Sequence, residues 1–246
     1  MTVVFVHGVP EVAAIWNGLV AALGRDDVVR LSPPGFGVPV PDGFTPTSDG
    51  YSDWLVGELD RFGEPVDLVG HDWGGIHAMR AATARPRLVH RLVTDIAGTA
   101  DPTYDWHDLA QGWQTPDVGE QIIGAMTTLT VAERTATLAG AGMTDAGART
   151  CAAAFGPEMG RCILSLYRSA VQPNLTNWAQ EFEALPDRPP ALLIAAHDDQ
   201  YTGGPELVRR VGASWDAQVA EFDGLGHWWM MHDPVRGAAV LRHFLA

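Results

Sequence analysis

Short β-branched runs alternate along this chain with longer amphipathic stretches, and that alternation leaves few folds open. Residues 2–6 (TVVFV), 27–31 (DVVRL), 65–70 (PVDLVG), 91–96 (RLVTDI), 191–196 (ALLIAA) and 217–222 (AQVAEF) have the length and composition of buried strands. Helical patterns fall between them, over 13–23, 50–62, 75–85, 204–213 and 234–245. Strands that alternate with helices build a mostly parallel, doubly wound sheet with helices on both faces. Ligands of such sheets bind at the carboxyl ends of the strands.

The alternation stops between residues 99 and 186. No strand pattern is found there, while 119–142, 145–155 and 158–171 read as helical, punctuated by Gly and Pro. The expected organisation is a core formed by 1–98 and 187–246, with 99–186 inserted as an all-helical cap or lid. With 46% hydrophobic residues in 246, the chain has the material for a sizeable core. Lys and Arg number 16 against 30 Asp and Glu, a formal charge of −14. That balance argues against nucleic acid and anionic membrane surfaces, which recruit basic patches. The opening MTVVFV is short and lacks a basic flank, so neither a signal peptide nor a membrane span is expected. Cys151 and Cys162 have no CxxC partner and suit free, buried thiols of a reducing compartment. These features predict a soluble, cytoplasmic protein.

Residues 70–75, GHDWGG, follow a strand run and precede a helical one. The spacing Gly-x-Asp-x-Gly is that of a nucleophile elbow, a strand-to-helix turn tight enough to strain its middle residue. Gly70, Gly74 and Gly75 supply the small neighbours such a turn needs. The turn lifts the Asp72 side chain into a site and aims the next backbone N–H, that of Trp73, at the same point. A helix cap at Asp72 would not require glycines on both sides. HGVP (7–10) follows the first strand, and its Val9 N–H can pair with that of Trp73 as an oxyanion hole. His7 reads as a structural hydrogen-bonding residue. Two further loops carry chemistry: HDD (197–199) after a late strand, and GLGHWW (224–229) after the last one, with His227.

Together HGVPEVAAIW, SPPGFG (32–37), GHDWGG, LYRS (166–169), HDD and GLGHWW make the chain resemble the α/β-hydrolase fold family over nearly its whole length. The resemblance is to the branch with an aspartate nucleophile: epoxide hydrolases and haloalkane or haloacetate dehalogenases. It implies Asp72 as nucleophile, His227 as general base and Asp199 as the acid that orients it, with Asp198 as the alternative. It implies Tyr167 as the donor that binds and protonates an epoxide oxygen. His107 resembles a second such donor, with Tyr104 as the alternative. Members of the family normally carry two strands ahead of the one that bears HG, so a sheet of about six strands is expected, with the first two missing. The DVVRL strand then becomes an exposed edge, open to pairing in a homodimer. No cofactor and no metal are implied.

The choice of nucleophile narrows the reaction. A carboxylate that attacks an ester gains little, because the product is an anhydride. Attack on an sp³ carbon with a strained or good leaving group gives a stable alkyl ester instead. His227 would then activate water against that ester. An epoxide oxygen needs a proton on leaving, which favours Tyr167. A halide needs weak N–H donors, and position 9 is Val where dehalogenases have Asn. Trp73 likewise stands where haloacetate dehalogenases have Arg. Expectation therefore falls on an epoxide hydrolase acting with water on a small, apolar substrate. The alternatives are a dehalogenase, for which cap residues Trp106 and Trp113 would serve, and a non-catalytic ligand-binding protein. Of Trp228, Trp229, Met230 and Met231, most are expected in the core.

Overall fold

The computed structural model describes residues 1–246. Its first half runs β1 (Val3–Val6), α1 (Asn17–Leu23), β2 (Val28–Leu31), α2 (Ser48–Asp60), β3 (Val66–Gly70), α3 (Trp73–Ala84) and β4 (Val89–Thr94). Six helices follow without a strand: α4 (Asp108–Gln114), α5 (Val118–Thr128), α6 (Val131–Gly140), α7 (Asp145–Ala154), α8 (Pro157–Arg168) and α9 (Asn174–Glu183). The chain then returns through β5 (Ala191–Ala196), α10 (Gly204–Ser214), β6 (Gln218–Phe222), α11 (Trp229–His232) and α12 (Pro234–Phe244). The strands form one sheet in the order β2-β1-β3-β4-β5-β6, and every neighbouring pair is parallel. This is the α/β-hydrolase architecture.

Successive strand residues point to opposite faces, and β1 is apolar on both. Val3 and Phe5 join Val69, Val93, Leu192 and Ile194 under α1 and α12, packed with Trp16, Leu19 and Leu241. Val4 and Val6 join Leu68, Leu92 and Leu193 under α2, α3 and α10, packed with Leu55, Ala78 and Val208. Burial of both sheet faces explains why the strands read as continuous apolar runs and not as alternating ones. A third apolar cluster lies between the carboxyl ends of the strands and α4, α5 and α8, and contains Val9, Trp73, Trp106, Trp113 and Tyr167.

Two boundaries differ from the sequence expectation. β4 begins at Val89 and ends at Thr94, because Val89 pairs with Val66 across a register shift in the β3 ladder. Asp95 and Ile96 thus leave the strand. The expected helical run 119–142 is two helices, broken where Thr130 caps α6 through a reciprocal bond with Glu133. Helices α4 and α9 were not among the expected patterns. Both are short, and α4 starts on a His107 cap that composition does not signal. β2 lies at a sheet edge, as the sequence predicts. Cys151 and Cys162 are buried and unpaired. No helix is long and apolar enough to cross a membrane.

Candidate active site

Asp72 stands between β3 and α3 with φ 50° and ψ −129°, a backbone conformation that L-residues rarely adopt. It occupies the cap position of α3, yet its side chain makes no capping bond. β3 and α3 meet so closely that a Cβ on Gly70 would run into the Gly74 carbonyl, and one on Gly74 into the Val6 carbonyl of β1. The carboxylate is turned instead toward the β1 loop. There Val9 N–H donates to Asp72 Oδ1 at 2.9 Å. A Cβ on Gly8 would overlap the same carboxylate, so this approach requires glycine.

His227 sits on the loop after β6. Its Nδ1 lies 2.8 Å from Asp199 Oδ2, and its Nε2 lies 3.7 Å from Asp72 Oδ2. Asp199 is itself held by Tyr201 N–H, which donates to Oδ1 at 2.7 Å. The pairing with Asp199 places the imidazole proton on Nδ1 and leaves Nε2 facing the Asp72 carboxylate. Asp198 is exposed, whereas Asp199 is buried and meets the histidine at Nδ1. Burial raises the Asp72 carboxyl above its ordinary value, and the nearby Glu11 charge adds to this against His227 and His71. Burial disfavours the charged form of His227, but Asp199 outweighs it and the net shift is upward.

Behind Asp72 lies a buried ionic network that no sequence motif signals. Glu11, His71 and Asp95 are all fully or almost fully buried. His71 Nε2 is 3.0 Å from Glu11 Oε1 and its Nδ1 is 2.6 Å from Asp95 Oδ2. Burial opposes a charge on His71, but the two flanking carboxylates hold its pKa well above the ordinary value. Both carboxyls are pushed down against the opposing effect of burial, by His71 first. Asp95 Oδ1 accepts the Asp72 backbone N–H at 3.1 Å, and its Oδ2 accepts the Trp229 indole at 2.7 Å. The elbow is therefore fastened from beneath. The only sequence sign of this network is a charged residue inside or at the end of an apolar run. Glu11, His71 and His227 have ligand atoms within 4.8 Å of one another. Both ring nitrogens of His71 are already committed to carboxylates, so the set is built for hydrogen bonding and not for a metal.

Asp72, His227, Tyr167 and His107 line one cavity of about 190 Å³. Its remaining wall is largely apolar and includes Leu109, Trp113, Ile123, Met126 and Phe155. Tyr167 on α8 is buried among Trp113, Trp73 and Trp106, with ring centroids 4.8, 5.2 and 5.3 Å away. Burial, with the Asp72 charge beside it, keeps its phenol well above the ordinary tyrosine value. His107 Nδ1 accepts the Ala110 N–H at 3.3 Å, and burial lowers its pKa to about 4. A neutral ring that accepts at Nδ1 carries its proton on Nε2. Tyr104, the alternative to His107, donates its hydroxyl to the Tyr201 carbonyl at 2.8 Å and is absent from the cavity wall. His7 is buried and bonded to Ser32, in keeping with a structural role. Of the late aromatic and methionine residues, Trp228 reaches the cavity, while Trp229 and Met230 are core.

A family model described as "Alpha/beta hydrolase family" matches residues 3–240. Among curated proteins, "Probable oxidoreductase EphD" of Mycobacterium tuberculosis is 40% identical over 82 residues, which are 30% of this chain and 14% of that one. The same protein of Mycobacterium bovis matches equally. The chain thus spans only a small part of these relatives. Among solved structures, haloalkane dehalogenase DbeA from Bradyrhizobium elkani superposes with a TM-score of 0.76 at 19% identity, covering 99% of this chain and 89% of that one. The meta-cleavage product hydrolase from Pseudomonas fluorescens superposes with a TM-score of 0.74 at 22% identity, covering 100% and 90%. Likeness at this level of identity shows the shared fold.

Proposed function

The chain belongs to the alpha/beta hydrolase family, and from that premise we propose that it is an epoxide hydrolase, opening a neutral, apolar epoxide to a vicinal diol through an ester on Asp72. The observation that carries this reading is Tyr167, a buried phenol that lines the same cavity as Asp72 and His227. It stays protonated across the working pH range and can give the proton that an opening epoxide requires. His107, with its proton on Nε2, supports a second donor to the ring oxygen.

Asp72 Oδ1 is engaged by Val9 N–H, so Oδ2 is the oxygen free to attack. It bonds to an epoxide carbon, that carbon's C–O bond breaks, and Tyr167 protonates the alkoxide. The 3.7 Å between His227 Nε2 and Oδ2 is too long for a strong hydrogen bond and leaves Nε2 available to a water. His227 takes a proton from that water, which attacks Asp72 Cγ. The Val9 and Trp73 N–H groups meet the oxyanion on Oδ1, a contribution of about 3–4 kcal/mol per donor in comparable sites. The ester C–O bond then breaks, His227 gives its proton to the leaving oxygen, the proton left on the Asp72 carboxyl returns through solvent to the Tyr167 phenolate, and the diol leaves. In this reading the helices between β4 and β5 act as a cap that supplies the apolar wall.

A second reading, dehalogenation, has its own support. The indole N–H groups of Trp73 and Trp113 are buried without partners, and a halide accepts such donors. Side-by-side incubation with styrene oxide and 1-bromobutane tests the assignment. The expected result is diol from the epoxide, no bromide, and a styrene-oxide adduct on the peptide that contains Asp72. Bromide release without diol selects the dehalogenase. No product and no adduct from either compound selects a non-catalytic binding protein.

A further inference from the structure

The catalytic cavity meets the outside at an apolar rim. Leu109 in its wall is 43% exposed, and Ile122 and Met126 beside it are half-buried. A separate cleft of about 490 Å³ lies between the Gly140–Gly142 turn and the loop that carries His227. Asp198, Gln200 and His232 give this second space a polar lining. Four residues belong to both walls: Ala141, Tyr201, His227 and Trp228. The cleft and the cavity are therefore one side chain apart.

We propose that this polar cleft is the port through which the hydrolytic water reaches His227 and the diol leaves, distinct from the apolar rim that admits the epoxide. The inference rests on the Asp72-ester reading. Each turnover on that reading consumes one water and replaces an epoxide with two hydroxyls. An apolar wall favours the incoming molecule over the outgoing one, and a polar lining does the reverse. Two of the shared residues make up the partition between them. Tyr201 has a pinned backbone: its N–H holds Asp199 and its carbonyl accepts Tyr104. Its ring is the part left as a wall, edge-on to His227 at 4.9 Å and to His107 at 5.0 Å. Ala141 is the smallest of the four shared residues, so the wall is thinnest there.

The two half-reactions separate the port from the rim. Single-turnover mixing with styrene oxide, followed by intact-protein mass spectrometry, reads formation and decay of the Asp72 adduct. His232→Trp and Gln200→Trp narrow the mouth from exposed positions that line the cleft and not the catalytic cavity. Both are expected to form the adduct within twofold of the wild-type rate and to lose it at least tenfold more slowly. Leu109→Trp is expected to slow formation and leave decay unchanged. Adduct decay at the wild-type rate in Gln200→Trp overturns the port, as does formation slowed in step with decay in His232→Trp. Absence of an adduct in the wild type overturns the ester reading and the port with it, whereas an adduct whose decay ignores both substitutions overturns the port alone.

Discussion

Glu11 and Trp228 lie 217 residues apart in sequence and share a hydrogen bond, the indole Nε1–H donating to Oε1. The other carboxylate oxygen accepts Gly8 N–H at 2.9 Å, while Oε1 also meets His71. One side chain thus joins the loop after β1, the residue before Asp72 and the residue after His227. Glu11→Ala strands the His71 imidazolium with one carboxylate and should cost about 3–5 kcal/mol of stability. For a chain of this size that is a Tm loss of about 2–4 °C for each kcal/mol, measurable by calorimetry.

Tyr167→Phe keeps the ring and its tryptophan neighbours and removes the proton. Epoxide opening should fall by about 10²–10⁴-fold, the usual worth of a general acid. Rapid-quench measurement of adduct formation checks this, and an unchanged rate would remove Tyr167 from the mechanism.

His227→Gln removes the base and leaves the nucleophile. One equivalent of styrene oxide should label Asp72 in a burst, with no later turnover. A variant that still releases diol at the wild-type rate would show that another group activates the water.

The two half-reactions should differ in pH dependence. Adduct formation needs ionised Asp72, so it should fade on the acid side at a pH above the ordinary carboxylate range, since burial raises that carboxyl. Adduct decay needs neutral His227, whose pKa is shifted upward, so its acid limb should lie above about pH 6.5. Separate pH profiles for burst and decay would resolve the two limbs.

Stability should also depend on pH through the buried network. The folded-state pKa of His71 is raised, so its contribution is complete below the unfolded value of about 6.5 and is lost as pH rises through the folded value. Glu11 and Asp95 are depressed, so theirs is present above an unfolded value of about 4 and is lost as pH falls through the folded ones. Urea unfolding should therefore show stability that declines from about pH 6.5 upward, and His71→Gln should flatten that alkaline slope.

The residues that were legible in the sequence share a local signature. Asp72, Asp199 and His227 each stand just beyond a strand, in a run of glycines or acids, and a linear reading finds such punctuation. The parallel sheet followed from the alternation of elements in the same way. The network behind them has no local signature. His71 and Glu11 are 60 residues apart and His71 and Asp95 are 24 apart, so each partner looks like a stray charge until the sheet brings them together. The resemblance put His107 before Tyr104, but the physical ground for that order was equally hidden. It depends on which hydroxyl the Tyr201 carbonyl already holds.

The helices between β4 and β5 contribute Tyr167, His107 and most of the apolar wall, but neither the nucleophile, the base nor its aspartate. Those three hang from loops of the sheet, fastened by Asp95, Glu11 and Tyr201. On the proposed reading, nucleophilic attack and ester hydrolysis are thus written in one set of stretches of the gene, and the proton donors and taste in substrates in another. A lineage, or an engineer, can rewrite the apolar wall between β4 and β5 around the two donors and acquire new molecules to act on, while the machinery beneath it is inherited untouched.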